Sequence, residues 1–369
     1  MQLVGETSRD EIGPVLITGG AGFLGRFLAA RLDGGGCRVT VLDDLSCPNS
    51  TFECAALASA RIRKVRGSVF DRTLVEELVS AHPVVVHFAS VVGVEETVSR
   101  TVPTIENLNG TINVVRSLTR DHVVVFGSSA DVYGAHSRLY DRAMREDDLL
   151  VYESGRVNRW VYPHVKALEE NLVSNGAARS VVVRIFNSYG PEMDYPAPKR
   201  VIPHFVDCIL GRRPLLLSGD GAQRRSFCFV DDMIDGFVAV LRHATARGAP
   251  RNDCFNIGHP EPVGIRDLAH LIMGCAIDGG LIDAPLPIVA DRFHYSQAFD
   301  DAWHRTPDIA RARRVLGFAP RVSLRDGLVR LLDHYHRLRR AGALTMPNGA
   351  RAPAVAWPHA AMRAVPGAS

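Results

Sequence analysis

Lysine is almost missing from this chain of 369 residues. It occurs only at positions 64, 166 and 199, and arginine supplies nearly all of the positive charge. Because 43 basic residues face 40 acidic ones, the formal net charge is only +3. This balance excludes the broad basic surface that is typical of nucleic-acid-binding proteins. We therefore expect no nucleic-acid partner, and a lysine that falls inside a motif becomes informative.

Long hydrophobic runs and closely paired cysteines are also missing. No apolar stretch approaches the roughly 18 residues that span a membrane, and the N-terminus has no basic region followed by an apolar one. We therefore expect neither membrane attachment nor a secretion signal. The seven cysteines are odd in number and include no Cys-x-x-Cys pair, which favours free thiols in the cytoplasm. His87 and His164 lack a ligand cluster, so no metal site is predicted.

Apolar, β-branched runs alternate with helical patterns through the first two thirds of the chain. The runs predict strands at 14–18, 37–42, 61–66, 83–88, 121–127 and 179–186. The helical patterns lie at 22–33, 71–81, 104–119 and 157–175. This alternation is typical of an α/β fold with a doubly wound parallel sheet of the Rossmann type. In such sheets ligands bind beyond the carboxyl ends of the strands.

A glycine-rich turn stands between the first predicted strand and the first predicted helix. Glycine permits a tight turn and lets backbone N–H groups approach a pyrophosphate at a helix N-terminus. Asp43 closes the next apolar run, at the spacing expected for a carboxylate that binds a ribose 2′-OH. The context predicts dinucleotide binding, and a carboxylate favours NAD over NADP because it repels a 2′-phosphate. The candidate contacts in the turn are Gly19, Gly22, Phe23, Leu24 and Gly25.

Tyr162 and Lys166 form a Tyr-x-x-x-Lys motif. On a helix, positions i and i+4 share a face, so both side chains can point into one site. A nearby ammonium favours the phenolate, and we expect Lys166 to lower the pKa of Tyr162 from its reference value of about 10. Tyr162 then becomes a general base toward a substrate hydroxyl. The alternative is a solvated helix face that carries an exposed lysine.

The pattern becomes irregular after about residue 187, and this change divides the chain. We expect a flexible lead-in at 1–12 and an NAD-binding domain with the Tyr/Lys pair at 13–186. Residues 187–340 should form mainly a smaller C-terminal substrate-binding lobe. A disordered tail, rich in Ala, Pro and Gly, is expected at 341–369.

Several segments together resemble the extended short-chain dehydrogenase/reductases that act on nucleotide sugars. The resemblance covers roughly residues 14–335. It implies NAD as cofactor, a nucleotide-diphosphate-sugar substrate and a catalytic triad of Ser129, Tyr162 and Lys166. It also implies a homodimer that packs two long helices per subunit, which here include 104–119 and 157–175. The segments are the glycine turn, Asp43-Asp44-Leu45, His87-Phe88-Ala89, Asn107 with Gly110-Thr111 and Asn113, residues 126–134, and Tyr162 with Lys166.

The same resemblance implies further binding residues. Ser68 stands where the family usually has Asp, and a serine can still form a hydrogen bond. Arginine suits a diphosphate because its planar fork grips phosphate oxygens. The implied NAD contacts, besides those in the turn and Asp43, are Asp44, Leu45, Ser46, Ser68, Val69, Phe88, Ala89, Ser90, Asn107, Tyr162 and Lys166. The implied substrate contacts are Ser129, Asn187, Arg200, Val201, Arg225, Phe299 and Arg305.

Two segments favour one reaction within the family. Ser129-Ala130-Asp131 is similar to a shortened form of the Thr-Ser-Glu of UDP-glucuronate decarboxylases. Residues 295–309 resemble a stretch of the bacterial oxidative UDP-glucuronate decarboxylases, in which the arginine corresponding to Arg305 lies in the active site. We therefore expect Asp131 and Arg305 to join the triad. The expected reaction is decarboxylation of UDP-glucuronate through a 4-keto intermediate to UDP-4-keto-pentose, UDP-xylose or both.

Other functions stay open at this point. A nucleotide-sugar 4-epimerase would begin with the same oxidation but would release no CO2. A 4,6-dehydratase would carry Asp-Glu after the Ser or Thr, where this chain has Ala130-Asp131. A non-catalytic NAD-binding sensor on the same fold would bind NAD without turnover, because fold does not fix function.

Overall fold

The computed structural model describes residues 12–92, 97, 100–152, 158–194, 200–291 and 304–341. Almost all of the predicted lead-in and tail lies outside the described residues, as does Phe299. Within these ranges no helix has the length and apolar character needed to cross a membrane. All seven cysteines are free.

A parallel seven-stranded sheet forms the centre of the molecule, with the strand order β11-β6-β5-β4-β1-β2-β3. The chain adds β2 and β3 on one side of β1 and then returns to add β4 on the other side. The position between β1 and β4 is thus the switch point where ligands bind in such folds. The strands in chain order are β1 (Val15–Thr18), β2 (Val39–Asp43), β3 (Arg63–Arg66), β4 (Val84–His87), β5 (Val123–Ser129), β6 (Arg179–Ile185), β7 (Ser188–Tyr189), β8 (Leu215–Ser218), β9 (Arg224–Ser226), β10 (Cys228–Phe229), β11 (Asn252–Ile257), β12 (Pro262–Gly264), β13 (Ile288–Asp291) and β14 (His304–Arg305).

Helices cover both faces of the sheet. Because strand side chains alternate between faces, Val15 and Ile17 pack toward α1 and α6 while Leu16 packs toward α2 and α3. Burial of both faces explains why these strands are continuous apolar runs. The helices are α1 (Phe23–Gly34), α2 (Arg72–Ser80), α3 (Thr101–Ser117), α4 (Val161–Ser174), α5 (Val201–Leu210), α6 (Val230–Thr245), α7 (Ile265–Asp278), α8 (Ala310–Leu316) and α9 (Leu324–Arg340).

The predicted doubly wound α/β sheet is confirmed. The six predicted strands and four predicted helices are all present, with ends that differ by a few residues. The helix predicted at 157–175 begins at Val161, after a short 3-10 turn at Asn158–Trp160. β5 continues to Ser129, two residues beyond its predicted end. This extension matters because it places Ser129 at the carboxyl end of the sheet.

The large sheet reaches past the predicted boundary at residue 187. β11 pairs with β6 in parallel, and α6 packs against the sheet, although both follow that boundary in the chain. The division into two lobes therefore stays a prediction. Elsewhere in the described ranges the short strands form small sheets, of which β12-β9-β14 is the one that carries predicted substrate residues.

Candidate active site

The glycine turn between β1 and α1 leaves no room for side chains. Gly19 has φ +68°, and a Cβ there would lie 2.7 Å from the backbone nitrogen of Ala89. A Cβ on Gly25 would overlap the carbonyl oxygen of Gly19. Gly22 is the N-cap of α1 and has no side chain to cover the helix end. The helix N-terminus is thus framed by backbone alone, which is the arrangement that binds a pyrophosphate.

Asp43 ties the glycine turn to the end of β2. It is buried, and its Oδ2 accepts the Ala21 N–H at 3.0 Å while its Oδ1 accepts the Leu45 N–H at 2.9 Å. Burial raises the pKa of Asp43, and these backbone hydrogen bonds offset that rise only in part. A carboxylate has about four lone-pair sites, so these backbone hydrogen bonds leave acceptor capacity for a ribose hydroxyl.

Other predicted cofactor residues cluster at the ends of β2 and β3. The Ser68 hydroxyl donates to Asp44 Oδ2 at 3.2 Å, and Asp44 Oδ1 accepts the Ser46 N–H at 2.9 Å. Asn113 Nδ2 donates to the Val69 carbonyl oxygen at 3.0 Å and so fixes that loop from α3. Ser68 therefore bonds to Asp44, and its predicted hydrogen bond to the cofactor stays a prediction.

The segment after β4 forms the opposite wall. The Ala89 N–H donates to Thr18 Oγ1 at 3.3 Å, and the Phe88 N–H donates to the Thr18 carbonyl oxygen at 3.0 Å. Asn107 binds this segment through its whole amide: its Oδ1 accepts the Val91 N–H at 2.8 Å, and its Nδ2 donates to the Val91 carbonyl oxygen at 3.2 Å. Asn107 thus shapes the wall, and Leu45 and Ser90 lie on the loops beside it.

Ser129, Tyr162 and Lys166 meet where β5 ends against α4. Ser129 lies close enough to Tyr162 to lower its pKa. The Lys166 ammonium lies 5.9 Å from the centre of the Tyr162 ring and 4.8 Å from that of Phe126. Tyr162 and Lys166 are both buried, so the alternative of a solvated helix face with an exposed lysine is not what the structure shows.

The expected lowering of the Tyr162 pKa is wrong for the protein alone. Burial raises the pKa of Tyr162, and Lys166 counteracts this rise only in part. The carboxylates of Asp131 and Glu169 act in the same direction as burial. Lys166 does act in the predicted direction, but burial and the two carboxylates outweigh it.

Asp131 lies between two buried arginines. Its Oδ1 is 2.6 Å from Arg305 Nη1 and 2.7 Å from Arg159 Nη2, and its Oδ2 accepts the Ser129 hydroxyl at 3.3 Å. Burial alone would raise the pKa of Asp131, but the two guanidinium groups hold it well below its usual range. The three charged groups carry one net positive charge in a site that is almost closed to solvent.

The Arg305 guanidinium has two hydrogen-bond donors that no described residue accepts. Its Nε and Nη2 are buried and have no hydrogen-bond partner among the described residues. Buried donors in native proteins are normally paired, and a guanidinium binds a carboxylate or phosphate with two parallel hydrogen bonds. The unpaired edge of Arg305 is therefore suited to an anionic group of a ligand.

A small sheet joins three of the predicted substrate residues. β14 runs parallel to β9 with Arg305 opposite Arg225, and Asn187 Nδ2 donates to the Ser226 carbonyl oxygen at 2.9 Å. Arg225 is buried. Arg200 instead pairs with Asp194 at 2.7 Å, and Val201 begins α5. Phe299 lies outside the described residues, so its predicted contact stays a prediction.

Sequence reasoning missed two charged residues of this site, Arg159 and Glu169. Arg159 ends up beside Asp131 because it lies on the 3-10 turn directly before α4. Glu169 is fully buried, with its Oε2 3.0 Å from Lys166 Nζ. A signal for Glu169 was present, since positions 162, 166 and 169 share one helical face.

Comparison with known proteins identifies the family. Residues 15–258 match the model of the NAD dependent epimerase/dehydratase family. The chain belongs to this family. NAD is therefore the cofactor of this member. Its glycine turn fits that cofactor because α1 begins after Gly22 with no side chain capping its N-terminal N–H groups. When bound, NAD supplies the acceptor for a hydride.

Two relatives and one solved structure are similar to the chain over most of its length. It is 30% identical to the UDP-N-acetyl-alpha-D-glucosaminuronate decarboxylase of Bacillus cytotoxicus, over 88% of this chain and 98% of that protein. It is also 30% identical to UDP-glucuronic acid decarboxylase 1 of Arabidopsis thaliana, over 90% of this chain and 73% of that protein. The UDP-glucuronic acid 4-epimerase of Bacillus cereus, solved with UDP-glucuronic acid and NAD, superimposes with a TM-score of 0.74 at 25% identity, covering 88% of this chain and 99% of that one.

Proposed function

We propose that the protein is an NAD-dependent decarboxylase of a UDP-uronate, with UDP-glucuronate as substrate. The observation that carries this proposal is the buried Asp131 between Arg305 and Arg159, with two donors of Arg305 unpaired among the described residues. A substrate carboxylate can bind to those donors. Asp131 compensates one of the two positive charges, which keeps the arginines from holding the carboxylate too tightly for it to leave.

The first step is oxidation at C4 of the sugar. Tyr162 accepts the proton of the 4-OH, and the hydride leaves C4 at the same time. Ser129 lies beside Tyr162 at the end of β5, and its hydroxyl turns from Asp131 to donate to the C4 oxygen as that oxygen becomes a ketone. The buried Lys166 ammonium favours the phenolate of Tyr162 in this step.

The second step is loss of CO2. The C4 ketone turns the C6 carboxylate into that of a β-keto acid. Its C5–C6 electron pair moves into the ring as an enolate, which the ketone stabilises. A proton from water, held by Arg305 or Asp131, then adds to C5 in place of the lost CO2. Reduction of the 4-ketone gives a UDP-pentose, and release before reduction gives the UDP-4-keto-pentose.

The relatives support the choice of a uronate, since both of those described above are named for decarboxylation of UDP-uronates. The second candidate is a 4-epimerase, which the likeness to a UDP-glucuronic acid 4-epimerase favours. An epimerase would also bind the carboxylate but would keep it. The two candidates therefore differ in one product, CO2.

Purified protein with NAD and UDP-glucuronate tests the proposal, with UDP-N-acetylglucosaminuronate assayed in parallel. Release of CO2 together with build-up of NADH means oxidative decarboxylation with a free 4-keto sugar. CO2 without net NADH means a full cycle that ends at a UDP-pentose. If UDP-glucuronate is isomerised with no CO2, the decarboxylase proposal fails and the epimerase takes its place.

We further propose that the protein is a cytoplasmic homodimer that pairs through α3 and α4. Three large apolar side chains on these helices are about half exposed or more. The exposed fractions are 65% for Val102 and 48% for Ile105 on α3, and 55% for Leu168 on α4. α3 and α4 pack against each other, so exposed apolar side chains stand on two neighbouring helices. An exposed patch of this kind is typical of a protein interface.

A further inference from the structure

Glu169 is a buried carboxylate to which the proposed reaction assigns no role. It lies on α4, one turn after Lys166 on the same face. Its side chain is fully buried, and its Oε2 is 3.0 Å from Lys166 Nζ. A buried carboxylate is costly unless it is paired and hydrogen-bonded, so both of its oxygens need partners.

The second oxygen of Glu169 ends a chain of hydrogen bonds. The Thr111 hydroxyl donates to Glu169 Oε1 at 2.5 Å. Since that hydroxyl has a single proton, His87 Nε2–H is the donor in its 3.0 Å contact with Thr111 Oγ1. In the neutral ring, His87 Nδ1 then accepts from the Thr18 hydroxyl at 2.6 Å. Thr18 Oγ1 in turn accepts the Ala89 N–H at 3.3 Å.

Every donor in this chain therefore points the same way, from Ala89 to Glu169. The arrangement requires a neutral His87, because a doubly protonated ring has no nitrogen that accepts. Burial lowers the pKa of His87 to about 4, which agrees with that requirement. The chain links the wall after β4, where cofactor contacts are predicted, to the carboxylate beneath Lys166.

We propose that Glu169 is a positioning residue for the catalytic pair, holding the Lys166 ammonium in place and compensating its charge inside the protein. The hydrogen-bond chain from Ala89 fixes the carboxylate for this task. The inference rests on the proposed function for the roles of Tyr162 and Lys166, and not for the identity of the sugar.

The other charges around the pair are compensated by partners of their own. Glu170 follows Glu169 on α4 but pairs with Arg184 at 2.8 Å and accepts the Ser128 hydroxyl at 2.6 Å. Asp131, which faces Tyr162 from the end of β5, pairs with Arg305 and Arg159. His87 faces Lys166 from β4 and is neutral.

The charges around Tyr162 and Lys166 determine in which direction loss of Glu169 moves the pKa values of the pair. Burial alone would lower the pKa of Lys166, but Glu169, with smaller contributions from Tyr162 and Glu170, outweighs burial and raises it. Glu169 also raises the pKa of Tyr162. Without the Glu169 carboxylate, the Tyr162–Lys166 pair therefore loses its first proton at a lower pH. This holds whether that proton comes from Tyr162 or from Lys166.

The kinetic test compares Glu169→Gln with the wild type through the pH dependence of kcat/KM. Glutamine keeps the size and a hydrogen-bonding oxygen but removes the charge. We expect the acid limb to move to lower pH by about one unit, and Glu169→Asp should return it toward the wild-type position. Glu77→Gln on α2, an exposed carboxylate, removes the same charge and should leave the profile unchanged. An acid limb that stays in place in Glu169→Gln overturns the proposal.

A second measurement needs no sugar and so separates this inference from the proposed function. The ultraviolet absorbance of the Tyr162 phenolate is titrated with NAD present, as the difference from Tyr162→Phe in the wild-type and the Glu169→Gln backgrounds. In Glu169→Gln the pH midpoint of the Tyr162 titration should be lower than in the wild type if Lys166 is still protonated when Tyr162 ionises. It should be higher if Lys166 loses its proton before Tyr162 does. The same midpoint in both backgrounds means that Glu169 has a packing role alone. Failure to release CO2 in the wild type would refute the decarboxylase without touching this result.

Discussion

At the scale of single residues, the centre of the site is a carboxylate shared by two arginines. The three residues come from three separate parts of the chain: Asp131 follows β5, Arg159 precedes α4 and Arg305 lies on β14. Replacing Asp131 leaves two buried guanidinium groups facing each other. Breaking a buried pair in this way is costly because it leaves charge uncompensated.

Asp131→Asn should therefore destabilise the protein by about 3 kcal/mol at neutral pH. Urea unfolding measures this as a lower midpoint. The pKa of Asp131 is lower in the folded than in the unfolded protein, so its stabilisation is fully present above the unfolded pKa of about 3.9 and is lost as pH falls through the folded pKa. The difference in the free energy of unfolding between the wild type and Asp131→Asn should therefore become smaller below about pH 4. The exposed Asp141→Asn is the control, and an equal loss there would contradict the explanation.

Tyr162→Phe tests the general base directly. The phenyl ring keeps the packing of a buried side chain but cannot accept a proton. We expect kcat to fall by roughly 10² to 10⁴, with thermal unfolding within a few degrees of the wild type. NAD binding, measured by calorimetry, separates lost chemistry from lost structure. Retention of more than a tenth of the wild-type kcat would remove Tyr162 from the catalytic role.

At the scale of elements, the β1–turn–α1 unit is the part that sequence reasoning described most fully. Glycine spacing, the preceding apolar run and Asp43 at the end of β2 all act locally, so a single sequence contains them. The structure adds the reason for Gly19 in particular, which is the close approach of the wall after β4. Ala89 in that wall is 70 residues away from Gly19 in the chain, so the sequence around Gly19 does not reveal this contact.

Gly19→Ala should weaken NAD binding at least tenfold and lower stability by about 1–2 kcal/mol, because a Cβ there meets backbone atoms and the φ of +68° strains any other residue. Gly34→Ala is the matched control at the other end of α1, where a Cβ meets nothing within 4 Å. That variant should bind NAD normally and gain up to about 1 kcal/mol from helix propensity. Calorimetry with NAD and thermal melts measure both, and equal affinities in the two variants would contradict this account of the turn.

At the scale of the whole molecule, the outer faces of α3 and α4 carry large apolar side chains that the described residues leave exposed. Their inner faces pack on the sheet, and their exposed apolar residues have no role in that packing. The catalytic pair lies on the inner face of the same α4. Dimerisation would therefore hold the helix that carries Tyr162 from its outer side.

The double variant Ile105→Glu/Leu168→Glu should convert a dimer to a monomer. Two carboxylates on one apolar surface would have to be desolvated in the interface, which costs several kcal/mol. Light scattering on a sizing column gives the mass directly. Val329→Glu, on the exposed face of α9, introduces the same charge outside the proposed interface and should leave the mass unchanged. A wild type that runs as a monomer would refute the dimer itself.

The sequence by itself determined the parallel sheet, the glycine turn and the pairing of Tyr162 with Lys166, because each depends on periodicity or spacing within a short stretch. The tertiary structure decided the electrostatics. Whether Lys166 lowers the pKa of Tyr162 depends on burial and on carboxylates brought in by the fold, and the partners of Asp131 lie 28 and 174 residues further along the chain. Charge interactions act through space in a medium whose dielectric constant is set by packing, so they could be assigned only once distant segments had been brought together.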